Sequence, residues 1–298
     1  MALDEFSVVL KAQQFVREVD PTSIPVSLVP YLQKAGTELR QDDLDLNEPG
    51  FSFPTAGKHF ICVNAKDREE RQRFTVCHEL AHIVLGLPSN HKAEPWWSAN
   101  RPLVEILCDV FAAELLLPRR LFEPLTNEGN VGFAAIDALA ARFVASTTAT
   151  GSRYAAATAA PCAFVLSEMG KVRHTSRSRA LQDASAWIAP RTDLPSGSAS
   201  ARARAGENPS REEIDADVWF SNWERGGVLL EEARYLAQWD QVLTLLWFEN
   251  EEMPALAPQP SRRWDRDADE RGSRDDEDEL GLKELDGNLR WPGRRGRR

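Results

Sequence analysis

Disulfide staples, membrane spans and leader chemistry are all poorly supplied in these 298 residues. Four cysteines cannot staple a chain of this length, and without export the expected compartment is reducing. Mean hydropathy is -0.42, and no apolar run approaches the ~18 residues of a membrane-spanning helix. The opening Met1-Ala2-Leu3-Asp4-Glu5-Phe6 is acidic and has no apolar stretch behind it, so a secretory leader is not expected and the predicted location is cytoplasmic. Positive charge is short as well: 36 Lys and Arg face 46 Asp and Glu, a formal charge of -10, which excludes a chain-wide nucleic-acid footprint. Internal repeats are missing. Apolar side chains are not, since 42% of residues are hydrophobic, enough for an ordinary core. The length sets a prior of about two domains.

Charge is uneven along the chain. Asp265 to Glu279 carries nine carboxylates against three arginines, a net of -6, and five arginines then crowd positions 290 to 298. Little apolar surface interrupts this block, so ordering it would cost more than burial returns; residues 258–298 read as a disordered charged tail. Pro195 to Pro209, rich in Ser, Ala, Arg and Gly, reads as a long loop. Between these, apolar periodicity predicts a helix over 5–19 and two short strands at Phe51–Phe53 and His59–Val63. A long helix follows, with Asp67 and Glu70 as a capping box and Gly86 as its stop. A second, heavily apolar helix lies between Pro102 as its first residue and Pro118. Two short helices over 133–156, a hairpin around Glu168-Met169-Gly170, and a last helix from Leu229 to Trp247 complete the reading. Trp219, Trp223, Trp239 and Trp247 are expected in the core. Helices and strands in separate runs predict an α+β fold rather than alternating βαβ units.

Histidine is scarce, five in all, yet two stand four apart in His78-Glu79-Leu80-Ala81-His82. On a helix that spacing stacks both imidazoles on one face, where both can reach one metal ion at ~2.0–2.1 Å. Glu79 is one step round the helix, placed to act on a water molecule as general base rather than to ligate; this is the H-E-x-x-H pattern. A metal with one open position needs a third protein ligand. Glu105 and Asp109, again four apart, lie on the next helix, whose only other carboxylate is Glu114. Two acids on a buried helix need partners. A metal for one and an imidazole N–H for the other would satisfy both, because ligating histidines usually donate their second N–H. Glu105 is assigned as third ligand and Asp109 as the brace of His78, with exchanged roles as the alternative; Glu114 is read as an exposed or capping acid. Peptide hydrolysis would also need an oxyanion donor. Arg153, Tyr154 and His174 are candidates that no spacing argument reaches. Cys77 and Cys108 sit beside ligand positions but read as small core residues. His91, Trp96 and Trp97 are placed on the loop between the two metal helices.

The run Arg71-Gln72-Arg73-Phe74-Thr75-Val76-Cys77-His78-Glu79-Leu80-Ala81-His82, with Asn64 before it and Glu105-Ile106-Leu107-Cys108-Asp109-Val110-Phe111-Ala112-Ala113-Glu114-Leu115-Leu116-Leu117-Pro118 after it, resembles the ImmA/IrrE family of prokaryotic zinc metallopeptidases. The close match covers about residues 58–120, with Leu117 where the family usually has Met, and a looser one reaches about 155. The resemblance implies a zinc ion on His78, His82 and Glu105 and a gluzincin-like brace at Asp109. It also implies a helix-turn-helix repressor as substrate.

Together these readings predict a zincin-like metallopeptidase core over residues 1–125, with a small sheet packed on the H-E-x-x-H helix and a second ligand helix. A helical, helix-turn-helix-like segment over 126–157 follows, then a mixed region over 158–257 and the tail. The expected activity is zinc-dependent cleavage of a regulatory protein, a DNA-binding repressor, with no membrane association and no direct nucleic-acid binding. The alternative is a non-proteolytic, metal-containing regulator that binds DNA or a partner protein through 133–155.

Overall fold

In the computed structural model, residues 3–45, 48–55, 57–89, 102–209, 211–249 and 253–255 are described. The expected tail and the residues His91, Trp96 and Trp97 lie outside them.

Helix α1 (Glu5–Val19) starts on a capping box between Asp4 and Ser7 and buries Val8, Ala12, Phe15 and Val16 on the side that meets the helix Leu103–Leu116. After α2 (Val29–Lys34) come β1 (Thr37–Asp42), β2 (Gly50–Thr55) and β3 (Lys58–Asn64). They form a three-stranded sheet in the order β1-β3-β2, with β1 parallel and β2 antiparallel to β3. The sequence reading misses β1, because Thr-Glu-Leu-Arg-Gln-Asp buries only its first residue and so shows no apolar alternation.

Helix α3 (Glu69–Leu85) packs on β2 and β3 with one side and on α4 (Leu103–Leu116) with the other. Its end is as expected: Gly86 takes the left-handed conformation (φ 65°) and the chain closes back through Leu87 N–H on the His82 carbonyl. Its start is not. Arg68 is the N-cap and no side chain caps the helix; the Asp67 carboxylate instead pairs with Arg71, 3.1 Å away. Pro102 is the N-cap residue of α4, one position earlier than expected. Two short turns, α5 (Arg119–Phe122) and a 3-10 segment (Glu123–Asn127), lead to α6 (Phe133–Phe143) and α7 (Thr147–Ala157), the latter capped by Ser146.

The C-terminal part is an antiparallel five-stranded sheet in the order β5-β4-β8-β7-β6. It comprises β4 (Cys162–Glu168), β5 (Lys171–Arg177), β6 (Glu212–Asp215), β7 (Val228–Leu236) and β8 (Gln241–Phe248), with short helices α8 (Arg179–Asp183), α9 (Ala199–Arg204) and α10 (Ala216–Trp219) between them. Two expectations fail here. The predicted helix Leu229–Trp247 is the hairpin β7–β8: all eight residues of β8 are buried, so the strand reads as a continuous apolar run in which a helical period is easily found. The predicted loop 195–209 contains α9, whose Ser198 hydroxyl accepts the Ala201 N–H.

Burial on both faces explains that run. Cys162, Phe164 and Leu166 of β4, with Leu243, Leu245 and Trp247 of β8, join the core of the helices. Ala163, Val165, Leu246 and Phe248 face a second core with Trp219, Phe220 and Trp223. Trp239, expected inside, is 45% exposed at the β7–β8 turn. The fold is α+β. Among the described residues no helix is long and apolar enough to cross a membrane.

Candidate metal centre

Buried Val76, Cys77, Leu80 and Ala81 of α3 and Leu107, Cys108, Phe111 and Ala112 of α4 lock the two helices together through a shared core. That packing brings the polar positions of both helices to one seam. From α3, His78 and His82 present their rings at 4.9 Å between centroids, with their Nε2 atoms 3.2 Å apart. From α4, Glu105 reaches both: Oε2 is 3.1 Å from His78 Nε2 and Oε1 is 3.6 Å from His82 Nε2. One donor atom from each of these three residues lies within 4.8 Å of the others. Asp109, one turn along α4, places Oδ1 2.8 Å from His78 Nδ1. His82 Nδ1 is buried and has no hydrogen-bond partner among the described residues.

The electrostatics of the seam favour positive charge. Burial works against a charged imidazole at His78, but its hydrogen bonds to the Asp109 and Glu105 carboxylates outweigh that and push its pKa up to about 9. Burial likewise opposes ionisation of Glu105, yet the two imidazoles hold its carboxyl well below the usual carboxylate range. Two nitrogens and a carboxylate oxygen that draw a proton between them form a donor set of the kind that suits a zinc-like divalent cation, so the residues fit the metal that the motif implies.

Glu79 sits beside this group and is 2% exposed. Its Oε2 accepts a 2.7 Å hydrogen bond from Ser52 Oγ on β2 and a longer one, 3.4 Å, from Ser89 Oγ. The sequence reading names neither serine; Ser52 is an inward-facing polar residue inside Phe51-Ser52-Phe53, and that break in an apolar strand was the available signal. Thus His78, Glu79, His82, Glu105 and Asp109 all meet at one place.

Other candidates go elsewhere. Cys77 and Cys108 are fully buried, and burial pushes the Cys77 thiol up to about 12, in keeping with a core residue. Glu114 is not an exposed acid. It is 3% exposed, caps α5 by accepting the Arg119 N–H at 3.1 Å, and pairs with Arg153 of α7 at 2.6 Å. Arg153 is therefore engaged as a counter-ion, Tyr154 is 1% exposed, and His174 bonds Ser152 and Ser176 between α7 and β5.

A helix carrying H-E-x-x-H, an adjacent helix supplying an acid, and a sheet strand touching the glutamate make up a group that could hold a metal ion. Residues 32–154 match the IrrE N-terminal-like domain. The chain is 34% identical over 119 residues to the radiation response metalloprotease IrrE of Deinococcus deserti, covering 38% of this chain and 42% of that protein. Against the protein of the same name in Deinococcus radiodurans it is 38% identical over 101 residues, covering 32% and 30%. The matched region thus spans less than half the length of either curated relative. A Mycobacterium tuberculosis transcriptional regulator shares the fold at a TM-score of 0.54 and 15% identity, over 81% of this chain and 76% of that one.

Proposed function

We propose that this chain is a zinc-dependent endopeptidase with a zincin-like core, acting in the cytoplasm on a DNA-binding repressor. The observation that carries the reading is the convergence of His78, His82 and Glu105, with the Glu79 carboxylate beside them and not among them. A structural zinc site would be expected to take a fourth protein ligand, and no fourth donor joins the group among the described residues. In this reading residues 1–125 are the peptidase unit, 126–157 and 158–257 support it, and 258–298 are a tail.

His78, His82 and Glu105 would hold the ion, which supplies Lewis acidity: it polarises a peptide carbonyl and lowers the pKa of a water molecule towards 7. Asp109 accepts the Nδ1 proton of His78, which fixes the tautomer and aims the Nε2 lone pair at the seam. Glu79 takes a proton from the attacking water at its carboxylate and returns it to the amine nitrogen as the C–N bond breaks. General base assistance of this kind is worth ~10²–10⁴-fold. Burial among α3, β2 and Ser89 keeps that carboxylate from bulk water.

The alternative, DNA binding through 133–155, gains no support. Helix α7 packs on β4 and β5 and buries Thr150, Gly151, Tyr154 and Ala155, while its Arg153 is paired with Glu114. A reading helix needs that face free.

Metal analysis and cleavage assays test the proposal together. Glu79→Gln should retain one zinc per chain and lose cleavage of a repressor or casein by ~10²–10⁴-fold, whereas His78→Ala should lose zinc under mild chelation. Zinc retained at full stoichiometry in His78→Ala, or undiminished cleavage by Glu79→Gln, would refute the assignment.

A further inference from the structure

The geometry points to Ser52 as the positioning residue of the Glu79 carboxylate, and to Gly50 as the residue that lets its strand come close enough. This inference rests on the peptidase reading and adds a part to it.

Strand β2 is an edge strand, and its pleat puts Gly50 and Ser52 on one face. That face lies over α3, where Thr75 and Glu79 are four residues apart and share a side. Two strand residues advance about 6.6 Å and four helical residues about 6 Å, so two contacts can form in step. They do. A Cβ on Gly50 would fall 2.7 Å from Thr75 Cγ2 and 2.5 Å from the Cys62 carbonyl oxygen, so only glycine allows the strand this close. One step along, Ser52 Oγ donates to Glu79 Oε2 at 2.7 Å.

The two partners differ in freedom. Ser52 has a short side chain on a strand fixed by its register with Ile61, itself fully buried. Glu79 has three rotatable side-chain bonds, and a general base helps only when its oxygen stands within hydrogen-bond reach of the reacting water. A hydroxyl bonded to a carboxylate makes one of the stronger hydrogen bonds in proteins. The hydroxyl donates and carries no charge of its own, so it can hold Oε2 in place without competing for the proton the glutamate must take.

The test uses the full chain with its metal, fluorescently labelled casein as substrate, and thermal unfolding as a readout that needs no turnover. Ser52→Ala should lower kcat on the order of tenfold, the value of one hydrogen bond to a charged group, with KM within about twofold. Ser52→Thr, which keeps the hydroxyl, should recover most of kcat. Gly50→Ala should lower kcat about as much as Ser52→Ala, and the double variant should be no slower than either. In unfolding, Ser52→Ala should lower the midpoint by a few degrees in the parent and leave it unmoved in a Glu79→Ala background. The inference is overturned if Ser52→Ala raises KM and spares kcat, if Ser52→Thr with a parental midpoint stays as slow as Ser52→Ala, or if Ser52→Ala costs the same midpoint with and without the Glu79 side chain. Should the parent leave casein intact, that counts against the peptidase reading, and the unfolding cycle by itself decides whether Ser52 holds Glu79.

Discussion

Glu105 and Asp109 occupy successive turns of one helix face and make different contacts, so their conservative variants should differ in kind. Glu105 touches both Nε2 atoms at the seam, whereas Asp109 touches the far nitrogen of His78. Glu105→Gln replaces an anionic oxygen by a neutral one where the ion would sit, and zinc affinity should fall steeply. Asp109→Asn keeps an acceptor for the Nδ1 proton and removes only charge, a change that costs ~10–100-fold in affinity or activity. Competitive zinc titration of both variants checks the order, and the reverse order would exchange the two roles. At this scale the sequence was informative wherever periodicity binds two residues of one helix, as at 78 and 82 or 105 and 109. It was silent wherever a contact joins residues far apart in the chain. Ser52 lies 27 residues from Glu79, and no spacing rule connects a strand hydroxyl to a helix carboxylate.

Helix α7 has its own polar anchor. The Arg153–Glu114 pair joins it to α4 in a place where both side chains are largely removed from water, at 18% and 3% exposure. Breaking such a pair from one side costs about 3–5 kcal/mol because the remaining charge stays buried. For a fold of this size Arg153→Met should therefore lower the thermal midpoint by roughly 6–20 °C. Adding Glu114→Leu should restore much of the loss; an unchanged midpoint in Arg153→Met alone would show that the pair contributes nothing. Elements with one buried stripe, such as α1, α6 and α7, were legible in the sequence because amphipathic spacing marks them. The hairpin β7–β8 was not, since a strand covered on both faces keeps no polar alternation to distinguish it from a buried helix.

Across the whole molecule, β8 is the last described strand in either core, and the block beyond 258 brings eleven carboxylates with few apolar neighbours. A chain ending at Ala255 should keep its zinc content and its thermal midpoint within a few degrees. A larger drop in calorimetry would show that the acidic and arginine-rich segments dock on the fold. The α+β class followed from the grouping of helices and strands. The sheet order β5-β4-β8-β7-β6 did not, because pairing between distant strands leaves no local pattern in the chain.

That distant pairing bears on how the protein comes off the ribosome. Glu114 emerges 39 residues ahead of Arg153, about 2–8 s at ordinary elongation rates of ~5–20 residues per second. Strand β4 waits about twice as long for β8, since Cys162 pairs with Trp247. A nascent chain stopped near residue 125 would thus carry His78, Glu79, His82, Glu105 and Asp109 and still hold the Glu114 carboxylate without its cation. The strand that brings Leu243, Leu245 and Trp247 to the helical core is the last of the described strands to be synthesised.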